Sequence, residues 1–341
     1  MAFAISGRPV GPGERVFVIA EACDNHLGDL AVAKEMAREA KLANADAVKY
    51  QHHLPDEEML RDVPMSDNFD EPLYDFLVDH ALKLEDHVEL MRYCQELGII
   101  YMCTPFSYAA ALELDSIGIG SFKIGSGELT DIPSLQRIAE LGKPMLVSTG
   151  MATFEEIDET VNALRDGPAP VGLMNCVSEY PPVYEDMNLG TIGVLQSRYP
   201  GTVVGHSDHT PDLYTSFAAV ALGAHAIEKH IILDKSQPGP DQSVSIDMDD
   251  LRSLVDGVRK IEVSLGSEKS VHAREADIRA WAHRSVVSTR DIAVGETIAQ
   301  EMVWTKRPGT GIPSKRMGEV VGRVAARDIA ANTLVSWDDL A

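Results

Sequence analysis

The sequence predicts an α/β fold, a (β/α)8 TIM barrel followed by a small β-rich module, and three observations lead there. Eight short runs of aliphatic and β-branched residues alternate with segments whose apolar residues recur at helical spacing. Each run ends in polar residues. An open doubly wound sheet would gather its polar groups at one switch point and carry a G-x-G-x-x-G turn, and no run is followed by one. The chain, at 341 residues, also exceeds one small domain and suits a large α/β domain with a smaller companion.

In order, the runs are "RVFVIAEA" from Arg15, "DAVKYQ" from Asp46, "GIIYMCTPF" from Gly98 and "SFKIGSGE" from Ser121. "KPMLVSTG" from Lys143, "PVGLMNCVSEYP" from Pro170, "TVVGHSDHT" from Thr202 and "AHAIEKHIIL" from Ala224 follow. Near-continuous apolar strands suggest a parallel sheet covered by helices, and eight of them close a barrel whose active site forms at the strand C-termini. Those ends carry Glu21, Asn25 and His26; Lys49 and Gln51; Thr104; Lys123, Ser126 and Glu128; Ser148 and Thr149. They continue with Asn175, Ser178 and Tyr180; Ser207, Asp208 and His209; Glu228 and His230. Alternate strand residues share a face, so Lys49 with Gln51, and Glu228 with His230, point into one space.

An amphipathic helix from about Leu251 to Leu265 closes the series, giving a barrel domain over 1–266. Residues 267–282 have the charge of a linker and no strand pattern. The tail, 283–341, holds an internal repeat, "RDIAVGETIAQEMV" from Arg290 and "RDIAANTLVSWDDL" from Arg327. Gly295 and Asn332 fall at equivalent places, and both residue types tolerate the left-handed backbone of a turn. A pseudo-symmetric module is expected.

Composition narrows the function. Hydrophobic residues at 45% and charged ones at 24% describe an ordinary globular chain. With 30 Lys and Arg against 53 Asp and Glu, the net charge of −23 argues against nucleic acid or anionic membrane partners. Any anionic ligand must be held by locally placed cations. The N-terminal segment has Gly and Pro where a signal peptide needs an apolar run, and no run reaches the length of a membrane helix, so a cytoplasmic address is expected. Cys23, Cys94, Cys103 and Cys176 form no C-x-x-C pair and read as packing residues.

Two ammonium groups, Lys49 and Lys123, with the hydroxyls of Thr104, Ser126, Ser148, Ser178 and Ser207, suit a phosphate or carboxylate. Strand-end lysines held in salt bridges are the structural alternative. His209 and His230 lie on neighbouring predicted strands and suit a divalent transition ion, although each could be a hydrogen-bonded structural histidine. Asp208 and Glu228 are placed to orient those imidazoles or to face solvent. Glu21, Glu128 and Asp241 are the carboxylates placed for proton transfer or for gripping sugar hydroxyls. His26, His52, His53 and His206 receive no role.

"IAEACDNHLGD", "KYQ", "TPF", "FKIGSGE", "VSTGMAT", "SEYPP", "GHSDHT", "IEKHI", "GPD" and "KRPGTGI" occur in the order found in sialic acid (N-acetylneuraminate) synthases and their relatives making legionaminic and pseudaminic acids. The chain resembles that family over nearly its whole length, including a tail similar to its antifreeze-like SAF domain. The resemblance implies a transferase that condenses phosphoenolpyruvate with the open-chain aldehyde of an N-acylated mannosamine-type aminosugar and releases phosphate. It further implies that Lys49, Thr104, Lys123, Ser126, Ser148, Ser178 and Ser207 hold phosphoenolpyruvate. His209 and His230 would bind the metal, with Mn²⁺ expected first and Mg²⁺ or Co²⁺ as alternatives, and for the proton transfer that accompanies loss of phosphate the residues themselves suggest Glu128. Glu21, Gln51, Tyr180 and Asp241 match sugar contacts, and Arg307 matches a tail arginine that reaches the acyl group from the partner chain of a domain-swapped homodimer.

Asp24 departs from the family pattern where an apolar residue is usual, as do Asn175, Val177, Gln242 and His206. These changes leave the acceptor open between N-acetylmannosamine, placed first, and a 2,4-diacetamido-2,4,6-trideoxyhexose. Two rival functions remain at this level. One is a Schiff-base aldolase using Lys123 or Lys49, the other a non-catalytic carbohydrate-binding protein.

Overall fold

Eight parallel strands close on themselves in the computed structural model, which describes residues 3–63 and 71–341. A hairpin of β1 (Phe3–Ile5) and β2 (Arg8–Val10) comes first. The barrel strands are β3 (Phe17–Glu21), β4 (Ala47–His52), β5 (Ile100–Pro105), β6 (Phe122–Ile124), β7 (Met145–Ser148), β8 (Val171–Cys176), β9 (Val203–Asp208) and β10 (Ala226–His230). Each predicted run overlaps one of them, and only β4 extends past its run, by His52. Pairing follows chain order, and β10 closes on β3 with His230 opposite Glu21.

Period-two alternation sorts every strand into an outer and an inner row. Val18, Val48, Tyr101, Val147, Val204 and Ile227 point outward into one apolar cluster with the surrounding helices. Phe17, Ile19, Ala47, Met102, Leu146, Met174, Val203 and Ala226 point inward and fill the lower barrel. The hairpin, which the sequence pattern did not suggest, plugs this end with Ile5 and Val10, both fully buried. Further along the same inner rows the residues turn polar: Glu21, Lys49, Thr104, Lys123, Ser148, Ser207, Glu228 and His230 are all buried. One face of each strand thus runs from oil to charge, and the charge collects at the C-terminal mouth.

The helices between strands start where local chemistry dictates. Asp29 caps Leu30–Leu42 through the amides of Ala31 and Val32, and Thr153 with Glu156 forms a capping box at Phe154–Leu164. Among the described residues no helix is long and apolar enough to cross a membrane.

Two units partition the chain, Met1–Gly266 and Ser267–Ala341. The stretch expected as a linker differs from that reading, because Ala273–Glu275 is a 3-10 turn and Ala276–Ala282 a helix within the second unit. Beyond it, β11 (Ser285–Ser288) pairs antiparallel with β12 (Val303–Lys306), and three 3-10 turns, Gln300–Met302, Ser314–Glu319 and Trp337–Asp339, interrupt an otherwise irregular chain. The repeat is visible as reciprocal bonding. Ile292 and Ile329 exchange backbone hydrogen bonds of 2.9 Å in both directions. Asp328 accepts from the Val294 amide and Asp291 from the equivalent Ala331 amide, each at 2.7 Å. Gly295 and Asn332 both have positive φ, +80° and +56°.

Candidate active site

The polar rows end in a cavity of about 480 Å³, a size suited to a small ligand pair. It is lined by Glu21, Lys49, Gln51, Thr104, Lys123, Ser126, Glu128, Ser148, Ser178, Tyr180, Ser207, His209, His230 and Asp241. The barrel residues assigned from the sequence to anion, sugar, metal or proton transfer are therefore in one place, whereas Asn25, His26, Thr149, Asn175 and Asp208 from the same strand ends do not line it. Arg307 is in the second unit, where its Nε donates to the Ala282 carbonyl at 3.0 Å and its guanidinium stacks 5.1 Å above Trp281.

Both lysines face the cavity and both are ion-paired, so the anion-site and salt-bridge readings hold together. Lys49 Nζ lies 2.7 Å from Glu21 Oε2 and 3.7 Å from Glu228 Oε2, and donates to Thr104 Oγ1 at 2.9 Å. Lys123 Nζ lies 3.3 Å from Glu228 Oε1 and donates to Ser148 Oγ at 2.7 Å. Ser207 Oγ donates to Glu228 Oε1 at 2.9 Å. Burial would raise Glu228, but Lys123 and Lys49 outweigh it and hold the carboxylate ionised. Burial instead dominates at Glu21, pushing it to about 7 against the pull of Lys49.

Glycines keep the mouth open. A Cβ at Gly150 would stand 2.2 Å from Ser178 Oγ and 2.7 Å from Ser126 Oγ, so the two hydroxyls converge only over a glycine. At Gly125 it would stand 2.3 Å from Glu128 Oε2. Glu128 Oε2 is buried with no hydrogen-bond partner among the described residues, and burial pushes the carboxyl to about 7.

The imidazoles of His209 and His230 lie with ring centroids 5.0 Å apart, and Tyr180 stacks on His209 at 4.4 Å. His209 Nδ1 donates to the Val177 carbonyl at 2.8 Å, which leaves Nε2 as the free ring position. His230 Nδ1 is buried without a hydrogen-bond partner among the described residues, 3.8 Å from Asp241 Oδ2. An orphaned imidazole, a second imidazole oriented by a carbonyl and a carboxylate form a donor set that fits a divalent ion.

Two expected orienting groups act elsewhere. Asp208 points away from the imidazoles and pairs with Lys229 at 3.4 Å, accepting also from Thr210, Thr215 and Ser216. Glu228 serves the lysines. Strand alternation is the reason, since Asp208 sits one residue off the inward row of Ser207.

Three lining residues, Asp24, His53 and Glu58, were missed or left without a role. His53 Nδ1 bonds Glu58 Oε1 at 3.0 Å, and its Nε2 approaches Gln51 Oε1 at 3.1 Å and Asp24 Oδ2 at 3.5 Å. Burial would lower His53, but Asp24 and Glu58 raise it to about 10, so it is an imidazolium. With His53 donating to Gln51 Oε1, Gln51 Nε2 donates to Glu21 Oε1 at 3.1 Å. The signal was present in the unusual Asp24 beside an unassigned "QHH". Cys23, read as packing, is fully buried and not part of the lining, and its thiol, His230 and Asp241 offer ligand atoms within 4.8 Å of one another. Two other departures adjoin, with His206 Nδ1 3.1 Å from the Asn175 carbonyl and 3.3 Å from Asn175 Nδ2.

The NeuB family model matches residues 36–270 and the SAF domain model residues 283–341. An uncharacterized protein of Methanocaldococcus jannaschii is 37% identical, with 98% of each chain covered. The N,N'-diacetyllegionaminic acid synthase of Legionella pneumophila is 36% identical over 98% of this chain and 97% of its own. The crystal structure of N-acetylneuraminic acid synthetase from Leptospira borgpetersenii, with citrate, superimposes with a TM-score of 0.73 at 30% identity, covering 82% of this chain and 95% of that one. With a closed eight-stranded barrel, a converged polar mouth and a repeated tail in the same order, the chain belongs to the NeuB family of sialic, legionaminic and pseudaminic acid synthases.

Proposed function

We propose that the protein condenses phosphoenolpyruvate with the open-chain form of an N-acylated mannosamine-type sugar, making a nonulosonic (sialic-type) acid and releasing phosphate. The observation that carries this reading is the cavity itself, in which two ammonium groups and a set of hydroxyls face the same space as two imidazoles. Lys49, Lys123 and the hydroxyls of Thr104, Ser126, Ser148, Ser178 and Ser207 hold the phosphate and carboxylate of phosphoenolpyruvate. An anion that takes Lys49 from Glu21 leaves a buried carboxylate unpaired, and Glu21 answers by taking up a proton. The neutral acid then donates to the ligand in place of repelling it.

His209, His230 and Asp241 would hold a divalent ion, with Mn²⁺ the first expectation and Mg²⁺ or Co²⁺ the alternatives. Such an ion supplies Lewis-acid stabilisation of the charge that develops on an aldehyde oxygen. Gln51, fixed by His53, orients sugar hydroxyls together with Glu21 and Tyr180. Glu128, held near neutrality by burial, moves the proton as phosphate leaves. The reading includes a cytoplasmic homodimer in which Arg307 of one chain meets the acyl group bound by the other.

N-acetylmannosamine is the first acceptor proposed. A 2,4-diacetamido-2,4,6-trideoxyhexose is the second, favoured by the apolar Met59, Leu73, Leu77 and Met151 in the cavity wall, which offer methyl groups a dry surface. A Schiff-base mechanism at Lys49 fits poorly. Burial would lower this amine, but Glu21 and Glu228 raise it, keeping it protonated and non-nucleophilic. The test is phosphate release from phosphoenolpyruvate by metal-stripped protein, with each sugar, with and without Mn²⁺. Release that requires both sugar and metal is expected. Sugar binding without release would point to a carbohydrate-binding protein instead.

A further inference from the structure

Cys23 lies two residues beyond β3, in left-handed backbone at φ +41°, with its side chain fully buried. Its sulfur, a ring nitrogen of His230 and a carboxylate oxygen of Asp241 sit within 4.8 Å of one another. His230 is only 5% exposed and its Nδ1 has no hydrogen-bond partner among the described residues, so the cluster holds a buried polar atom that they leave unsatisfied. Packing alone accounts for a buried thiol, but it does not call for an orphaned imidazole and a carboxylate around that thiol. In a tetrahedral site, bonds of about 2.0–2.3 Å place ligand atoms roughly 3.3–3.8 Å apart. Small side-chain rotations close the gap. His209 stands beside the cluster, its ring centroid 5.0 Å from that of His230, with Nε2 left free by the bond from Nδ1 to the Val177 carbonyl.

We propose that Cys23 is a metal ligand, so that this chain offers the set Cys23, His209, His230 and Asp241. The proposal rests on the reading above for the presence of an ion at the two histidines. A thiolate makes the site softer than two imidazoles and a carboxylate alone, shifting preference toward Co²⁺, Zn²⁺ or Fe²⁺ and away from Mn²⁺ and Mg²⁺. Binding breaks the S–H bond, and the proton leaves to buffer as the sulfur lone pair takes the ion.

The experiment is an anaerobic Co²⁺ titration of the metal-stripped full chain followed by absorption, beside Cys23→Ser, Cys23→Gly and Cys176→Ser. A near-ultraviolet sulfur-to-cobalt charge-transfer band is expected in the parent and in Cys176→Ser. It should vanish from both Cys23 variants, whose cobalt affinity falls by about tenfold or more. Glycine accepts positive φ without strain, so the second variant separates loss of the sulfur from loss of the fold. Cobalt binding without that band, equal in the parent and in Cys23→Ser, overturns the ligand and leaves the two-histidine site standing. A band lost with Cys176→Ser in place of the Cys23 variants overturns it equally. No cobalt binding by the parent defeats both the ligand and the metal part of the function, whereas sugar-dependent phosphate release reports on the function alone.

Discussion

Glu21 and Glu128 are both pushed to about 7, yet their surroundings give them different work. Glu21 leans on Lys49 at 2.7 Å, so its proton count follows whatever occupies that ammonium. Phosphoenolpyruvate binding at pH 7.5 should therefore take up protons, seen as a dependence of calorimetric heat on buffer ionisation enthalpy. Glu21→Gln should remove most of that dependence. Among the described residues no cation is ion-paired with Glu128, and its raised value comes from burial, so it is poised to exchange a proton near pH 7. Glu128→Gln should leave phosphoenolpyruvate binding within about threefold and lower kcat by about 10²–10⁴-fold, erasing the limb of the pH profile near 7. Retention of that limb would remove Glu128 from the chemistry.

At the scale of elements, the ends of β9 and β10 are held by a buried pair behind the site. Lys229 is fully buried and donates to the Thr210 carbonyl as well as facing Asp208. Burial would raise Asp208, but Lys229, His206 and the donors Ser216 and Thr210 outweigh it and hold the carboxyl at about 2. Its folded value is thus depressed below an unfolded value of about 3.9. The stabilisation is complete above about pH 4 and is lost as pH falls toward 2. Asp208→Asn strands the Lys229 charge and should cost about 3–5 kcal/mol in urea unfolding. At the other end of the barrel, Ile5 of the hairpin is buried among the lower inner residues. Ile5→Ala should cost about 2–5 kcal/mol while leaving cavity residues in place, so stability falls and KM does not move.

For the whole molecule, the site proposed is composite, with the barrel of one chain and the tail of another. Lys123→Met and Arg307→Ala should each be impaired alone, the first in kcat and the second in the KM for sugar. Mixed after dissociation, they should regain about a quarter of parental activity, because half the dimers are hybrids and each hybrid has one intact site. No regain above the sum of the separate proteins would place Arg307 in its own chain's site or in none. The acidic surface, net −23, means that long-range attraction does not bring phosphoenolpyruvate in. Capture depends on the buried lysines, and binding should weaken little with added salt.

Eight apolar runs with polar ends determined the barrel, because an inward row that changes from apolar to charged has nowhere else to place its charges. The same pattern named the lysines, hydroxyls, imidazoles and carboxylates that meet in the cavity, and the "RDIA" repeat named the two equivalent turns of the tail. Tertiary structure alone decided who pairs with whom. Asp208 serves Lys229 and Glu228 serves Lys49 and Lys123, since one residue of strand register separates the outer row from the inner one. The hairpin plug escaped notice because three-residue strands have too little periodicity to read. Cys23 and His53 escaped because their partners come from other segments of the chain, Cys23 beside His230 and Asp241, His53 beside Asp24. Proximity of that kind is written in the closure of the barrel, where distant strand ends share one mouth, and in no stretch of sequence.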